Sequence, residues 1–170
     1  MKLLFGTICS FAALLSLTSN AQAQSWGLTP ATDVHGLQLI YGSDNRPVYE
    51  FECGTADISV TNFGVTGLLD LQTGQKIEDA PGAVITPGAS LMALFTGKGQ
   101  PDFLPAEAKP NTEKGWDLTI RFAKTDKRIR ILGKSDVISL FTTGYTAAVS
   151  MSAGDQALAR DFLGQCQKGQ

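Results

Sequence analysis

The sequence predicts a mostly β fold of the α+β class: an antiparallel β-sandwich or curved sheet with one C-terminal helix, stapled by a disulfide. Three observations predict it. Several short apolar or alternating segments are separated by glycine-rich turns. One segment with helical periodicity follows the last of them. Two cysteines, Cys53 and Cys166, remain once the N-terminal leader is set aside.

The N-terminal stretch "MKLLFGTICSFAALLSLTSNAQAQ" is typical of a secretory signal peptide. Lys2 gives a positive start, residues 3–17 are apolar or small, and Ala21-Gln22-Ala23 is a small-x-small cleavage site. We expect cleavage after Ala23 and a periplasmic or secreted protein. No later apolar run is long enough to predict a transmembrane helix.

The expected organisation is a signal peptide over residues 1–23, an irregular N-terminal arm over residues 24–36 and a single β-rich domain over residues 37–170. The predicted strands comprise residues 37–41, 47–53, 56–62, 65–72, 90–96, 116–123, 136–143 and 145–152. The clearest is "WDLTIRFA" (116–123), in which apolar and polar residues alternate strictly.

Three further segments complete the chain. Residues 97–115, with three prolines, are expected to form an irregular surface excursion. The segment "TDKRIRILGKS" is either a short helix with Ile129 and Leu132 buried or a strand with Ile129 and Ile131 inward. A helix is predicted over residues 153–166, with Ser152 and Asp155 forming a capping box at its start.

A disulfide between Cys53 and Cys166 is the simplest use of the two cysteines in an exported chain. Cys53 lies on the apolar face of its predicted strand, and Cys166 continues the apolar stripe of the predicted helix. Redox chemistry would need a C-x-x-C motif or an activated thiol, and zinc would need more ligands. We therefore predict a structural bridge, with Cys9 removed in the leader.

Charge and motifs exclude several classes of function. The formal net charge is −2, and it becomes more negative when Lys2 is removed, which argues against nucleic acid as a partner. The sequence contains no G-x-S-x-G, Ser-x-x-Lys, phosphate-loop, H-E-x-x-H, EF-hand or dinucleotide motif. We therefore predict neither a cofactor nor a metal site.

A basic run in "RFAKTDKRIRILGK" (121–134) is the first candidate binding feature. Its cations are Arg121, Lys124, Lys127, Arg128, Arg130 and Lys134. Such a run is suited to an anionic envelope polymer, lipid headgroups or an acidic protein surface. The alternative is a solvated turn with acidic neighbours.

The 97–115 excursion is the second candidate. Phe103 and Leu104 in "PDFLPAE" are placed near its tip, where exposed apolar residues can anchor a protein partner. The alternative is that both residues fold back to cover a sheet edge.

Acidic residues supply the third candidate, a catalytic one. Glu50 and Glu52 lie on one face of a strand, about 6.5–7 Å apart at their Cα atoms, a separation that paired acids use in glycoside hydrolysis. Asp57 joins them if Gly54 forms a hairpin, and His35 is the one histidine available as a base. Alternating acids on an outer strand face are more often solubilising or protect an edge.

The stretch "VYEFECGTADISV" (48–60) resembles the strand-Cys-Gly-strand opening of small periplasmic lysozyme inhibitors. The general plan is similar to small exported β proteins associated with bacterial invasion and envelope functions. Neither resemblance includes an inhibitory loop motif, and neither implies a role for a particular residue.

Two functional hypotheses follow. The first is an exported non-catalytic binding or envelope-associated module that uses the basic run and the 97–115 loop. The second is a small periplasmic hydrolase of cell-wall or extracellular polymer that uses paired carboxylates. The hydrolase needs acids that converge in a cleft, whereas the binding module needs a convex or flat patch.

Overall fold

The computed structural model of the protein describes residues 24–43, 46–79, 85, 91–96 and 100–168. It is mostly β, with two antiparallel sheets, one long C-terminal helix and a disulfide between Cys53 and Cys166. The fold class predicted from the sequence is confirmed. The predicted leader, residues 1–23, lies outside the described residues.

Ten strands are described in two sheets. In chain order they are β1 (Ser25–Thr29), β2 (Gln38–Ser43), β3 (Arg46–Cys53), β4 (Asp57–Val65), β5 (Leu91–Phe95), β6 (Leu104–Pro105), β7 (Glu107–Pro110), β8 (Trp116–Ala123), β9 (Val137–Thr142) and β10 (Tyr145–Ser150). The large sheet has the order β1-β2-β3-β4-β8-β7, and the small sheet has the order β10-β9-β5-β6. The chain passes from the small sheet to the large one between β6 and β7.

One hydrophobic core joins both sheets, because each contributes one apolar face to it. On β8 the alternate residues are buried as predicted: Trp116, Leu118, Ile120 and Phe122 are each at most 2% exposed. The opposite face of the large sheet carries polar side chains, including Glu50, Glu52 and Thr61 on β3 and β4. This outer face is the part of the fold that is available to a ligand.

The structure tests two predictions about helical segments. The segment after β8 forms a short helix, α1 (Lys127–Arg130), and a 3₁₀ turn (Leu132–Lys134) that bury Ile129 and Leu132, so the helical alternative is correct. The C-terminal helix, α2 (Ala153–Gln167), begins with the predicted capping box between Ser152 and Asp155. No helix in the described part of the chain is long and apolar enough to span a membrane.

Two expectations about irregular segments were wrong. Ser25–Thr29, expected to belong to an irregular arm, pairs with β2 as an edge strand and buries Trp26. Within the 97–115 segment, β6 and β7 pair with β5 and β8. Both cases depend on long-range pairing at sheet edges, where prolines such as Pro105 and Pro110 are tolerated.

The strand predicted over residues 65–72 was also wrong beyond Val65. Gly67 has a φ of +74°, which ends the extended conformation, and the Asp70 carboxylate accepts hydrogen bonds from the next turn's backbone. Leu69 and Leu71 are 39% and 44% exposed. Leu69 and Leu71 therefore lie in a surface turn, whereas their neighbour Leu68 is buried in the core.

The disulfide fixes the last turn of α2 to the end of β3. Cys53 and Cys166 are separated by 113 residues, and Cys166 is 1% exposed. Two polar contacts hold the helix to the segment after β8: the Lys124 ammonium donates to the Cys166 carbonyl at 3.2 Å, and the Arg160 guanidinium donates to the Gly133 carbonyl at 2.8 Å.

Removing the disulfide is expected to lower the free energy of unfolding by about 4–5 kcal/mol, because the bridge restricts a long loop in the unfolded chain. Urea denaturation of the Cys53→Ala/Cys166→Ala variant measures the loss. Wild-type protein reduced before denaturation is the control and should match the variant. Equal stability of oxidised wild type and variant would contradict the prediction.

Candidate functional site

A cleft of about 480 Å³ lies on the outer face of the large sheet, where the loop between β1 and β2 folds over the end of β3. The ionisable residues in its lining are Asp33, His35, Glu52, Asp57 and Arg121, and Ser59 adds a hydroxyl group. The cleft therefore collects four residues that the sequence analysis had named for two different functions.

Gly36 places the loop over β3. Its amide donates to Glu52 Oε1 at 3.0 Å, and the Cys53 amide donates to the Leu37 carbonyl at 2.9 Å. A Cβ atom at Gly36 would overlap the carbonyl oxygen of Cys53, so the approach requires glycine. His35 is consequently held beside Glu52, with 3.9 Å between Nδ1 and Oε1.

The strand register sets the floor of the cleft. Glu52, Ser59 and Arg121 lie side by side on β3, β4 and β8. Ser59 is only 9% exposed, and its hydroxyl makes no hydrogen bond to another residue that the structure describes, whereas Gln38, opposite Glu52 on β2, lies outside the lining. The sequence analysis missed Ser59. Alternation alone would have placed Ser59 on the polar face, but its position opposite Glu52 needs the register.

Arg121 is the one arginine in the lining, and its charge is divided between two acids. One Nη atom lies 3.5 Å from Asp57 Oδ2, and the other lies 3.8 Å from Glu107 Oε2. Both distances are long for charge-assisted hydrogen bonds, and the Arg121 side chain is 58% exposed. Arg121 therefore belongs to the cleft and does not extend the rest of the basic run.

Glu50 and Glu52 share the outer face of β3, as predicted, but the cleft lining includes only Glu52. Burial raises the pKa of the Glu50 carboxyl, the negative charge of Glu52 raises it further, and His35 opposes the rise. The acid with the raised pKa thus lies outside the cleft that contains Glu52 and Asp57.

Two more cations of the basic run, Arg128 and Lys124, make polar contacts within the protein. Arg128 pairs with Asp126 at 2.8 Å and with Asp102 at 2.9 Å, and its guanidinium lies 4.8 Å from the centre of the Phe122 ring. Hydrogen bonds from Arg128 hold the pKa of the Asp126 carboxyl below its usual range. Lys124, as described above, donates to the end of α2.

The other three cations form an exposed stripe. Lys127, Arg130 and Lys134, together with Ile131, recur at helical spacing on α1 and the 3₁₀ turn, opposite the buried Ile129 and Leu132. Among the described residues none of these cations makes a salt bridge. We call these four residues the basic surface.

The predicted apolar residues of the 97–115 segment separate in the structure. Phe103 is 43% exposed, whereas Leu104 is half-buried in β6, opposite Met92. Asp102, which the sequence analysis did not single out, ties this segment to α1 through Arg128. The apolar loop residue and the basic run are therefore linked by one ion pair.

No family model, curated protein or solved structure matches this chain. Its site must be interpreted from geometry. Within the described ranges, no group of three or more His, Cys, Asp and Glu side chains is arranged to hold a metal ion. His35, Glu52 and Asp57 of the cleft therefore do not form such a group. The resemblance over residues 48–60 contributes no site residue.

Replacing Gly36 with alanine is expected to lower the free energy of unfolding by more than about 1 kcal/mol, because the new Cβ meets the Cys53 carbonyl. Gly27→Ala is the matched control, since a Cβ there meets nothing within 4 Å. Chemical denaturation compares the two. Equal effects would show that the loop does not need its close approach to β3.

The raised pKa of Glu50 makes folding stability depend on pH. Since the folded state favours the protonated carboxyl, stability falls as pH rises from the unfolded pKa through the folded one. Glu50→Gln is therefore expected to unfold at a higher temperature than wild type at neutral pH, with the gain vanishing in acid. Glu113→Gln, at an exposed position, is the control for removing one charge. A Glu50→Gln gain that does not change with pH would contradict the assignment.

Proposed function

We propose that the protein is an exported, non-catalytic binding module that attaches to an anionic polymer of the cell envelope through the basic surface. The observation that carries the proposal is the Arg128–Asp102 ion pair, which joins the segment bearing exposed Phe103 to the basic surface, whose three cations make no salt bridge among the described residues. Export is supported by the leader-like residues 1–23 and by a disulfide, which persists in oxidising compartments.

The basic surface suits a polymeric ligand because the three cations of the protein follow one another along α1 and the 3₁₀ turn. Lys127, Arg130 and Lys134 span about 10 Å of helix, a distance comparable with the screening length of charges at physiological salt. Their attraction to a chain of phosphate or carboxylate groups adds up over several contacts. Ile131, 39% exposed between them, offers an apolar contact to the polymer backbone.

Reversing the three cations is expected to weaken binding to dextran sulphate, a model polyanion, by at least about tenfold. The variant is Lys127→Glu/Arg130→Glu/Lys134→Glu, which spares the structural Arg128. Its charge-matched control is Arg46→Glu/Lys109→Glu/Lys114→Glu on other exposed positions. Titration calorimetry at two salt concentrations checks the result, and wild-type affinity should fall as salt rises. An equal loss in both variants would refute a specific basic surface.

The hydrolase remains the second candidate, favoured by one observation: Glu52, Asp57 and His35 line the same cleft. Two carboxylates of different protonation are what glycoside hydrolysis requires, yet the acid with the raised pKa is Glu50, beyond the lining. Release of soluble fragments from purified peptidoglycan, abolished by Glu52→Gln, would favour the hydrolase over the binding module.

A further inference from the structure

We infer that the cleft between the β1–β2 loop and β3 is a binding site for an alkylammonium or guanidinium group, presented by a lysine or arginine side chain or by a free polyamine. The site is separate from the basic surface, and the inference does not rest on the proposed function. It is carried by the charge of the lining, by a buried polar side chain in that lining and by an apolar rim.

The charge of the lining favours a cation. Three carboxylates, those of Asp33, Glu52 and Asp57, face one guanidinium, that of Arg121. Arg121 is already divided between Asp57 and Glu107. Among the described residues, the Glu52 carboxylate contacts the Gly36 amide at 3.0 Å and His35 Nδ1 at 3.9 Å, and it makes no ion pair with a lysine or arginine. A cationic ligand supplies a positive charge beside the Glu52 carboxylate.

A buried polar side chain beside Glu52 points to a hydrogen-bonding ligand. Ser59 lies directly opposite Glu52 on β4 and lines the cleft. Ser59 is 9% exposed, and its hydroxyl makes no hydrogen bond to another described residue. Side chains directly opposite one another on neighbouring strands are close enough to share one bound group. An ammonium that donates to the Glu52 carboxylate can therefore also donate to the Ser59 hydroxyl.

The rim of the cleft fits the alkyl stem of such a ligand. Val34 is 80% exposed on the loop and lines the cleft, as does the half-buried Cys53. Long basic side chains bury their methylene groups against apolar surface while the charged head makes polar contacts. The cleft, at about 480 Å³, is large enough for one such side chain and its neighbouring backbone.

The test is a nuclear magnetic resonance titration of the full oxidised protein with the tripeptides Gly-Lys-Gly and Gly-Arg-Gly. Gly-acetyllysine-Gly, which lacks the charge, is the matched control ligand, and spermidine is the free polyamine. The charged ligands are expected to shift the backbone amides of His35, Gly36 and Ser59, while acetyllysine leaves them in place. A shift by the peptides but not by spermidine identifies a polypeptide as the source of the cation, and the reverse identifies a polyamine.

Glu52→Gln is expected to weaken this binding about tenfold or more, since the amide keeps an acceptor for Gly36 but loses the charge. Ser59→Ala is expected to weaken it less, and Glu113→Gln, remote from the cleft, should leave it unchanged. The basic-surface triple variant should also bind normally. Equal shifts with the acetylated peptide, full binding by Glu52→Gln, or no shift at the cleft amides at saturating ligand would each overturn the inference.

Discussion

The covalent bond between Cys53 and Cys166 is the constraint on which both candidate surfaces depend. On one side, Cys53 ends β3 and its carbonyl is the atom against which Gly36 packs, so the bridge lies at the wall of the cleft. On the other side, the Cys166 carbonyl accepts the Lys124 ammonium, which holds α2 against the segment that leads into α1. A single cross-link thus positions the acidic cleft and the basic surface relative to one core.

The fold separates the charged side chains into those that stabilise it and those that remain exposed on two surfaces. Half of the basic run serves the fold: Lys124 holds α2, Arg128 satisfies Asp126 and Asp102, and Arg121 crosses to acids of the large sheet. Only the stripe on α1 and the 3₁₀ turn is left for a partner. The outer face of the large sheet keeps an excess of carboxylates, so the protein offers two surfaces of opposite charge. A net charge near zero conceals this separation.

Local patterns predicted the elements whose stability is decided locally. Strict alternation gave β8, helical periodicity and a capping box gave α2, and the apolar faces of both cysteines gave the disulfide. Edge strand β1 and the β6–β7 crossing were missed because they are stabilised by pairing with distant strands. The cleft was only partly predictable for the same reason. Glu52, Asp57 and His35 were named, but the register that brings Ser59 and Arg121 beside Glu52 is a property of three strands together.

Peptide mapping of the oxidised protein under non-reducing conditions tests this account most directly. It predicts one cross-linked pair, with the peptide that contains Cys53 joined to the peptide that contains Cys166, and its disappearance on reduction. Alkylation of both thiols in unreduced, folded protein would mean that β3 and α2 are not joined. The cleft wall at Cys53 and the contact between Lys124 and the end of α2 would then not be joined by a covalent bond.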